Sequence, residues 1–132
     1  MTEPEEKKTI PDMPADPHEA ARLLAALRRA KKFGSLLGIA KKAGKVISGT
    51  ALVTDGIRSG SPGKCPAAVF LSSDASDNTK KRIENCCTYY EIPLHHITLT
   101  CAELGAYIGK SGSISSVGIT DRGLADALTN LI

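Results

Sequence analysis

Apolar residues recur along the chain in two patterns, helical spacings and short continuous runs. The helical spacings predict six helices, which begin at Asp16, Leu36, Gly49, Asp74, Thr100 and Asp121. The continuous runs predict strands at residues 46–48, 67–71, 94–98 and 117–120. Strand and helix therefore alternate four times, and this order predicts a three-layer α/β/α sandwich with a four-stranded central sheet and helices on both faces.

Capping residues and glycines give these helices definite ends. The first helix has Asp16 as N-cap and Pro17 at its first position, and Phe33-Gly34-Ser35 is expected to break it. Asp74 is expected to cap the fourth helix, and Thr100 opens a capping box with Glu103. The predicted buried faces of the second and third helices are Leu36, Leu37, Ile39, Ala40 and Ala43, then Leu52, Val53, Gly56 and Ile57.

Composition divides the chain into three parts. Residues 1–15 are rich in Pro, Glu and Lys and are predicted to be a mobile tail, residues 16–32 a helical extension, and residues 33–132 the folded domain. The acidic start is unlike a secretory signal and no apolar run is long enough for a membrane span, so we expect a cytoplasmic monomer that does not contact membranes. Its four cysteines are expected to be reduced.

Positive charge is concentrated in one segment. The net charge is +3, and residues 33–60 carry Lys41, Lys42, Lys45 and Arg58 against Asp55 alone. The three lysines are expected to share one helix side, opposite the apolar stripe, although such a run is often only a solvated face. The helix start at Gly49, Thr50 and Ala51 offers unpaired N–H donors beside them, which favours an anionic partner such as phosphate.

Signatures of catalysis are absent from the sequence. Neither a phosphate-binding glycine motif nor a recognisable nucleophile signature occurs. His95 and His96 are adjacent in a predicted strand, so their rings should point to opposite sides and cannot chelate one metal ion. We therefore predict a protein without enzyme activity, cofactor or metal.

Two consecutive stretches carry a resemblance to a known family. Residues 36–49, LLGIAKKAGKVISG, and residues 50–60, TALVTDGIRSG, resemble the kink-turn-binding ribosomal protein family, whose type member is the archaeal L-seven-Ae protein. Support comes from residues 73–82, 103–110 and 117–125, and the short bacterial ribosomal-protein-like members are the most similar. The resemblance implies an α/β/α sandwich that recognises sharply bent RNA at a helix N-terminus.

Three positions depart from the family pattern. In the RNA-binding members this helix begins Gly-Thr-Asn-Glu with a Lys one turn later, and these polar side chains contact guanines and phosphate. The present chain keeps Gly49 and Thr50 but carries Ala51, Leu52 and Asp55 at the other three positions. Alanine and leucine side chains cannot hydrogen-bond a base edge, and aspartate repels phosphate.

The sequence thus predicts a non-catalytic, translation-associated protein that binds structured RNA, either ribosomal or kink-turn-like, with the ribosome as a candidate partner. Ser76 and Lys80 stand at the start of the predicted helix that follows Asp74, which is the third helix of the family pattern. Solubility alone would explain the exposed charges there. Residues 109–116 are predicted to form a small, polar, flexible loop that either contacts a ligand or only connects two elements. The alternative is a protein-interaction scaffold that uses Leu52 and has lost RNA binding. The candidate RNA-binding residues are Lys41, Lys42, Lys45, Gly49, Thr50, Ala51, Ser76, Lys80, Lys110, Ser111, Gly112 and Ser113.

Overall fold

A computed structural model describes residues 16–61, 63–110 and 112–132, and this part of the chain holds five helices and four strands. The predicted tail at residues 1–15 and the candidate residue Ser111 lie outside it. The elements in chain order are α1 (Pro17–Lys42), β1 (Val46–Ser48), α2 (Thr50–Ser59), β2 (Ala68–Leu71), α3 (Asp77–Tyr89), β3 (Leu94–His96), α4 (Cys101–Tyr107), β4 (Ser116–Ile119) and α5 (Arg122–Thr129).

The four strands form one mixed sheet in the order β1-β4-β2-β3. β4 lies antiparallel to both β1 and β2, whereas β2 and β3 run parallel. Ser48 at the end of β1 pairs with Val117, so the chain leaves β1 beside the beginning of β4. This pairing places the start of α2 next to the segment that leads into β4.

Helices cover both faces of the sheet, and each face has its own buried cluster. On one face Phe33, Leu37, Leu104 and Leu128 bring α1, α4 and α5 onto the sheet. On the other, Val53, Ile57 and Ile83 bring α2 and α3 onto it. The side chains of β2 divide between the two clusters, because successive residues of a strand point to opposite faces. The predicted three-layer α/β/α sandwich is confirmed.

The expected break at Phe33-Gly34-Ser35 is wrong, because α1 runs unbroken through it. Gly34 is where α1 and α4 approach each other, and a Cβ at this position would overlap the ring of Tyr107. Phe33 is buried and packs edge-to-face on Phe70, with ring centroids 5.1 Å apart. The glycine therefore makes room for a neighbouring helix and does not end its own.

The predicted helix caps agree with the structure more often than the predicted buried residues of the second and third helices do. The caps at Asp16, Thr100 and Asp121 are present as predicted. The predicted cap at Asp74 is wrong, because Ser76 caps α3 by accepting from the N–H of Thr79 at 3.2 Å. Three predicted core residues also face solvent; these are Ile39, Ala43 and Leu52.

The cysteines and the strand histidines have structural roles. All four cysteines are free thiols, as predicted, and burial raises the pKa of Cys87 to about 11. His95 stacks on Phe70 at a centroid distance of 5.4 Å, whereas His96 Nε2 lies 3.4 Å from a carboxylate oxygen of Glu84. The two rings thus have different environments, as their adjacent strand positions predicted.

Candidate nucleic-acid interface

Helix α2 begins at an unusual backbone conformation. Its N-cap Gly49 has φ +92° and ψ 146°, a combination that glycine tolerates and other residues adopt at a cost. Its N–H donates to the carbonyl of Ser116 at 3.0 Å, so the predicted free donor at Gly49 is wrong. The first-turn donors of α2 are instead the N–H groups of Thr50, Ala51 and Leu52, which have no intrahelical acceptor.

The first turn of α2 is braced from within and from β4. The hydroxyl of buried Thr54 donates to the carbonyls of Thr50 and Ala51, at 3.0 and 3.1 Å. The Thr50 hydroxyl lies 3.2 Å from that of Ser115 in the loop before β4. Thr50 is therefore held in place, whereas Ala51 and Leu52 are exposed to solvent.

The loop between α4 and β4 is attached to the domain near both of its ends. The N–H of Lys110 donates to Gly105 at 2.8 Å, that of Ile114 to Cys101 at 3.0 Å, and Ser115 accepts from Ser72 at 2.9 Å. Its candidate residues Gly112 and Ser113 are exposed. The loop thus presents short polar residues on fixed supports near the start of α2.

An open groove of about 560 Å³ lies along α2 and contains three lysines and one carboxylate. Lys41 enters it from the last turn of α1 and Lys110 from the loop that follows α4, so two candidates that are distant in sequence converge. Across the described residues, no lysine of this groove lies within ion-pair distance of a carboxylate. Its lining is Lys41, Val46, Ile47, Ser48, Leu52, Asp55, Gly56, Ser59, Lys64 and Lys110.

Lys64 is the groove lysine that the sequence did not indicate. It follows α2 in a turn in which its N–H donates to the carbonyl of Ser61 at 3.0 Å. This turn directs the chain back toward α2, so Lys64 lines the same groove as Lys41. Its position after a Pro-Gly pair was the available signal, but a turn alone does not reveal which surface its side chain joins.

The other candidate residues lie outside this groove. Lys42 ends α1, and Lys45 is not in the helix at all, because Ala43 caps α1 and Gly44 follows with φ +74°. Both side chains are exposed. At the start of α3, the Ser76 hydroxyl is occupied by capping, and Lys80 is partly exposed. The expected single edge of Lys41, Lys42 and Lys45 is thus divided by the end of the helix.

Two departures from the family pattern lie on the groove itself. Leu52 is 58% exposed and Asp55 is exposed one turn later. Asp55 places a negative charge in the same groove as the lysines, whereas Leu52 offers an apolar surface with Val46 and Ile47. The groove can therefore attract phosphate through its lysines, but it lacks side-chain groups for base edges at these two positions.

Asp74, Ser72 and Cys101 form a polar cluster at the start of α4 that stabilises the fold and does not favour nucleophilic chemistry. Asp74 accepts from the N–H of Cys101 at 2.7 Å, and the Ser72 hydroxyl lies 3.0 Å from Cys101 Sγ. Hydrogen bonds from Cys101 lower the pKa of Asp74, whereas desolvation raises the pKa of Cys101. A thiol with a raised pKa is a poor nucleophile at neutral pH. Over the described ranges, no three His, Cys, Asp or Glu side chains form a metal-binding group.

The fold and the basic groove beside a helix N-terminus place this chain in a class of small α/β/α proteins that are suited to binding polyanions. The chain belongs to the ribosomal protein L7Ae/L30e/S12e/Gadd45 family, whose model matches residues 31–129. This match confirms the family that the sequence motifs indicated. It begins within α1, so residues 17–30 of that helix precede it.

Individual relatives agree with this assignment. The chain is 39% identical over 97 residues to a Bacillus subtilis protein named RNA-binding protein YlxQ, covering 74% of this chain and 91% of that one. A solved Bacillus halodurans protein of unknown function is 33% identical, with a TM-score of 0.67, over 76% of this chain and 95% of that one. A Giardia lamblia 15.5 kD RNA-binding protein shares the fold at 14% identity and a TM-score of 0.61, over 79% and 84%.

Within the part of the chain that the structure describes, no helix combines the length and the apolar character that a transmembrane span requires.

Proposed function

We propose that this chain is a non-catalytic RNA-binding protein that holds structured RNA in the groove beside α2. The observation that carries the proposal is the convergence of Lys41, Lys64 and Lys110 on one groove at the exposed side of α2. The class is supported by the family, which consists of ribosomal-type proteins without enzyme activity, and by a relative named as RNA-binding. Residues 33–132 would form the binding domain, and residues 16–32 extend α1 beyond it.

The groove would act mainly on the phosphate backbone. The three lysines present flexible ammonium groups from separate elements, so they can follow a bent strand better than a single row could. The N–H groups of Thr50, Ala51 and Leu52 add donors at the positive end of the α2 dipole. Gly112 and Ser113 do not line the groove, but they are exposed in the loop before β4 and would offer a backbone a second polar contact surface.

Recognition of particular bases would be weaker than in relatives that retain the polar pattern. Ala51 and Leu52 have no side-chain hydrogen-bonding group, and Asp55 opposes phosphate on the same groove. We infer that the chain selects RNA by backbone shape and charge more than by sequence. Ribosomal RNA and other kink-turn-like RNA fit this preference, and we expect a monomer that acts in the cytoplasm in association with the ribosome or translation.

A salt series of binding tests the proposal directly. The full chain is titrated against an RNA with a kink-turn, a plain duplex and a single-stranded oligomer at increasing salt. Each neutralised phosphate contributes about −0.9 to the slope of log affinity against log salt on a duplex. Lys41→Gln, Lys64→Gln and Lys110→Gln should each lower the affinity and flatten this slope by about one contact. Lys81→Gln is the matched control, because Lys81 is exposed on α3 and lies outside the groove.

Exposed Leu52 favours a second candidate function, a scaffold that binds another protein. Its side chain is 58% exposed and shares the groove with Val46 and Ile47. If none of the three RNAs binds at low salt, the RNA-binding proposal is wrong and this alternative replaces it. Equal binding of the kink-turn and the duplex would leave RNA binding standing without kink-turn preference.

A further inference from the structure

A second groove lies against α2 and α3, apart from the lysine groove. Its volume is about 480 Å³, and its lining is Arg58, Arg82, Asn85, Cys86, Tyr89 and Tyr90. Residues 82, 85, 86 and 89 follow the i, i+3, i+4, i+7 spacing, so they present one face of α3 toward Arg58 in the last turn of α2. None of the six residues that line this second groove lines the lysine groove.

Tyr89 is exposed to an extent that packing within the chain does not explain. Its side chain is 79% exposed, the largest value among the exposed large apolar residues of the described chain. Tyr90 lies against it edge-to-face, with ring centroids 4.8 Å apart and an interplanar angle of 77°. The N–H of Tyr90 donates to Cys86 at 3.1 Å, which anchors the end of α3. The pair is therefore a supported aromatic surface open to solvent.

Two guanidinium groups flank this aromatic surface. Among the described residues, neither Arg58 nor Arg82 lies within ion-pair distance of a carboxylate. A guanidinium offers several donors in a planar fork that matches phosphate, and it also stacks on aromatic rings and bases. Asn85 adds an amide that can both donate to and accept from a base edge.

We propose that this second groove binds an unpaired nucleotide of RNA. The base would stack on Tyr89, Arg58 and Arg82 would hold the adjoining phosphates, and Asn85 would contact the base edge. Combining aromatic platforms with a basic groove is how proteins bind single strands without strong sequence preference. The volume lies within the range of small-ligand sites, which suits a single nucleotide.

Helix α2 connects the two grooves. Asp55 and Ser59 line the lysine groove, whereas Arg58 lines the second one, so adjacent sides of one helix face the two spaces. From Gly49 to Arg58 the helix advances about 13 Å, at 1.5 Å per residue. A short single-stranded extension of RNA held in the first groove can therefore reach Tyr89. The inference rests on the proposed function to the extent that both grooves are taken to bind one RNA.

An acidic peptide is the competing occupant, and the stacking surface argues against it. Carboxylates would pair with the arginines but would leave Tyr89 without a planar partner, whereas a nucleotide uses the rings and the charges together. A relative of this chain is named as an RNA-binding protein, and this favours RNA over an acidic peptide as the occupant.

The test compares a structured RNA without unpaired ends, the same RNA with an extension of about five unpaired nucleotides, and that extension alone. The full-length chain is used, and affinity is measured from the anisotropy of labelled RNA. The extension should increase affinity at least about fivefold, because stacking on one aromatic ring is worth that much or more. Tyr89→Ala should remove this gain, and Tyr89→Phe should keep it because the ring face remains.

Matched variants separate the groove from general charge and folding effects. Arg82→Gln should reduce the gain, whereas Lys81→Gln beside it should not, since Lys81 does not line the groove. RNA without the extension should bind native and Tyr89→Ala chains within about twofold of each other, which also shows that the variant folds. Equal losses for both RNAs, or no gain from the extension, would overturn the inference.

Failure of the proposed function has a different signature. If the structured RNA without an extension does not bind, the lysine groove is not an RNA site. The extension alone then decides the second groove: binding that weakens in Tyr89→Ala supports it, and absence of binding overturns it. An acidic peptide that binds at Arg58 and Arg82 while the extension does not would likewise overturn it.

Discussion

The backbone N–H of Gly49 donates to the carbonyl of Ser116 at 3.0 Å, and this bond joins the start of α2 to the first residue of β4. The backbone of Gly49 has φ +92° where the chain leaves β1 and makes this bond. As a result, the first turn of α2 and the loop that ends at Ser115 lie side by side. The geometry of the lysine groove therefore depends on a glycine that contributes no side chain.

Gly49→Ala should destabilise the fold by about 1–3 kcal/mol, the usual strain of a non-glycine residue in a rare backbone region. No atom crowds the added methyl group, so the cost comes from the backbone alone. Urea unfolding of the variant measures it. Gly63→Ala, which also meets no neighbour and has no left-handed backbone, is the control, and equal stability of the two variants would contradict this account.

Gly34→Ala should lower the free energy of unfolding by about 1–2 kcal/mol, because overpacking against the Tyr107 ring exceeds the gain in helix propensity. Thermal and urea unfolding provide the measurement. Gly123→Ala in α5 is the matched control, since its methyl group would meet only ordinary contact with Asp121, and it should be neutral or slightly stabilising. A stabilised Gly34→Ala chain would show that α1 does not pack on α4 as described.

Asp74→Asn should reduce stability at pH 7, and the difference should disappear in acid. The folded chain holds the pKa of Asp74 below its ordinary value of 3.8, so the carboxylate contributes stability above that value. This contribution is lost as the pH falls below 3.8 and through the lowered folded pKa. Urea midpoints at pH 7, 5 and 3 measure it, with Asp126→Asn at an exposed position of α5 as the control. A difference that persists unchanged at pH 3 would be inconsistent with this origin.

Replacing the three departures together should create a preference for kink-turn RNA. Ala51→Asn, Leu52→Glu and Asp55→Lys restore the polar pattern of the RNA-binding members, and all three positions are exposed, so the core is unaffected. One specific base contact is worth about 1–3 kcal/mol, so the ratio of kink-turn to duplex affinity should rise at least about fivefold. The single change Asp55→Lys serves as the comparison, since it should raise affinity for both RNAs alike.

Signals confined to a few consecutive residues predicted the fold well. Capping by Asp16, Thr100 and Asp121 and the four apolar runs located most elements, and their alternation predicted three layers. The family followed from the motif at residues 36–60. These signals succeeded because a cap or a strand run acts within one turn or one strand of the residues that encode it.

The candidate site was predicted only in part. Lys41 and Lys110 were named separately, yet their convergence with Lys64 depends on how α1, α4 and the turn after α2 pack around β1. Lys45 was placed on the helix and lies beyond it. Spacing along one helix cannot reveal which residues from other elements complete a groove.

By itself, the sequence determined most of the helix ends, the strands, the α/β/α class and the family, because those depend on local spacing and motifs. Tertiary structure alone decided that β4 lies between β1 and β2, that α1 continues through Gly34, and that Leu52 and Tyr89 face solvent. Each of these depends on contacts between residues far apart in the chain, such as Gly34 with Tyr107. Burial is a property of the packed molecule, so the pattern of one segment predicts it only where its neighbours are already known.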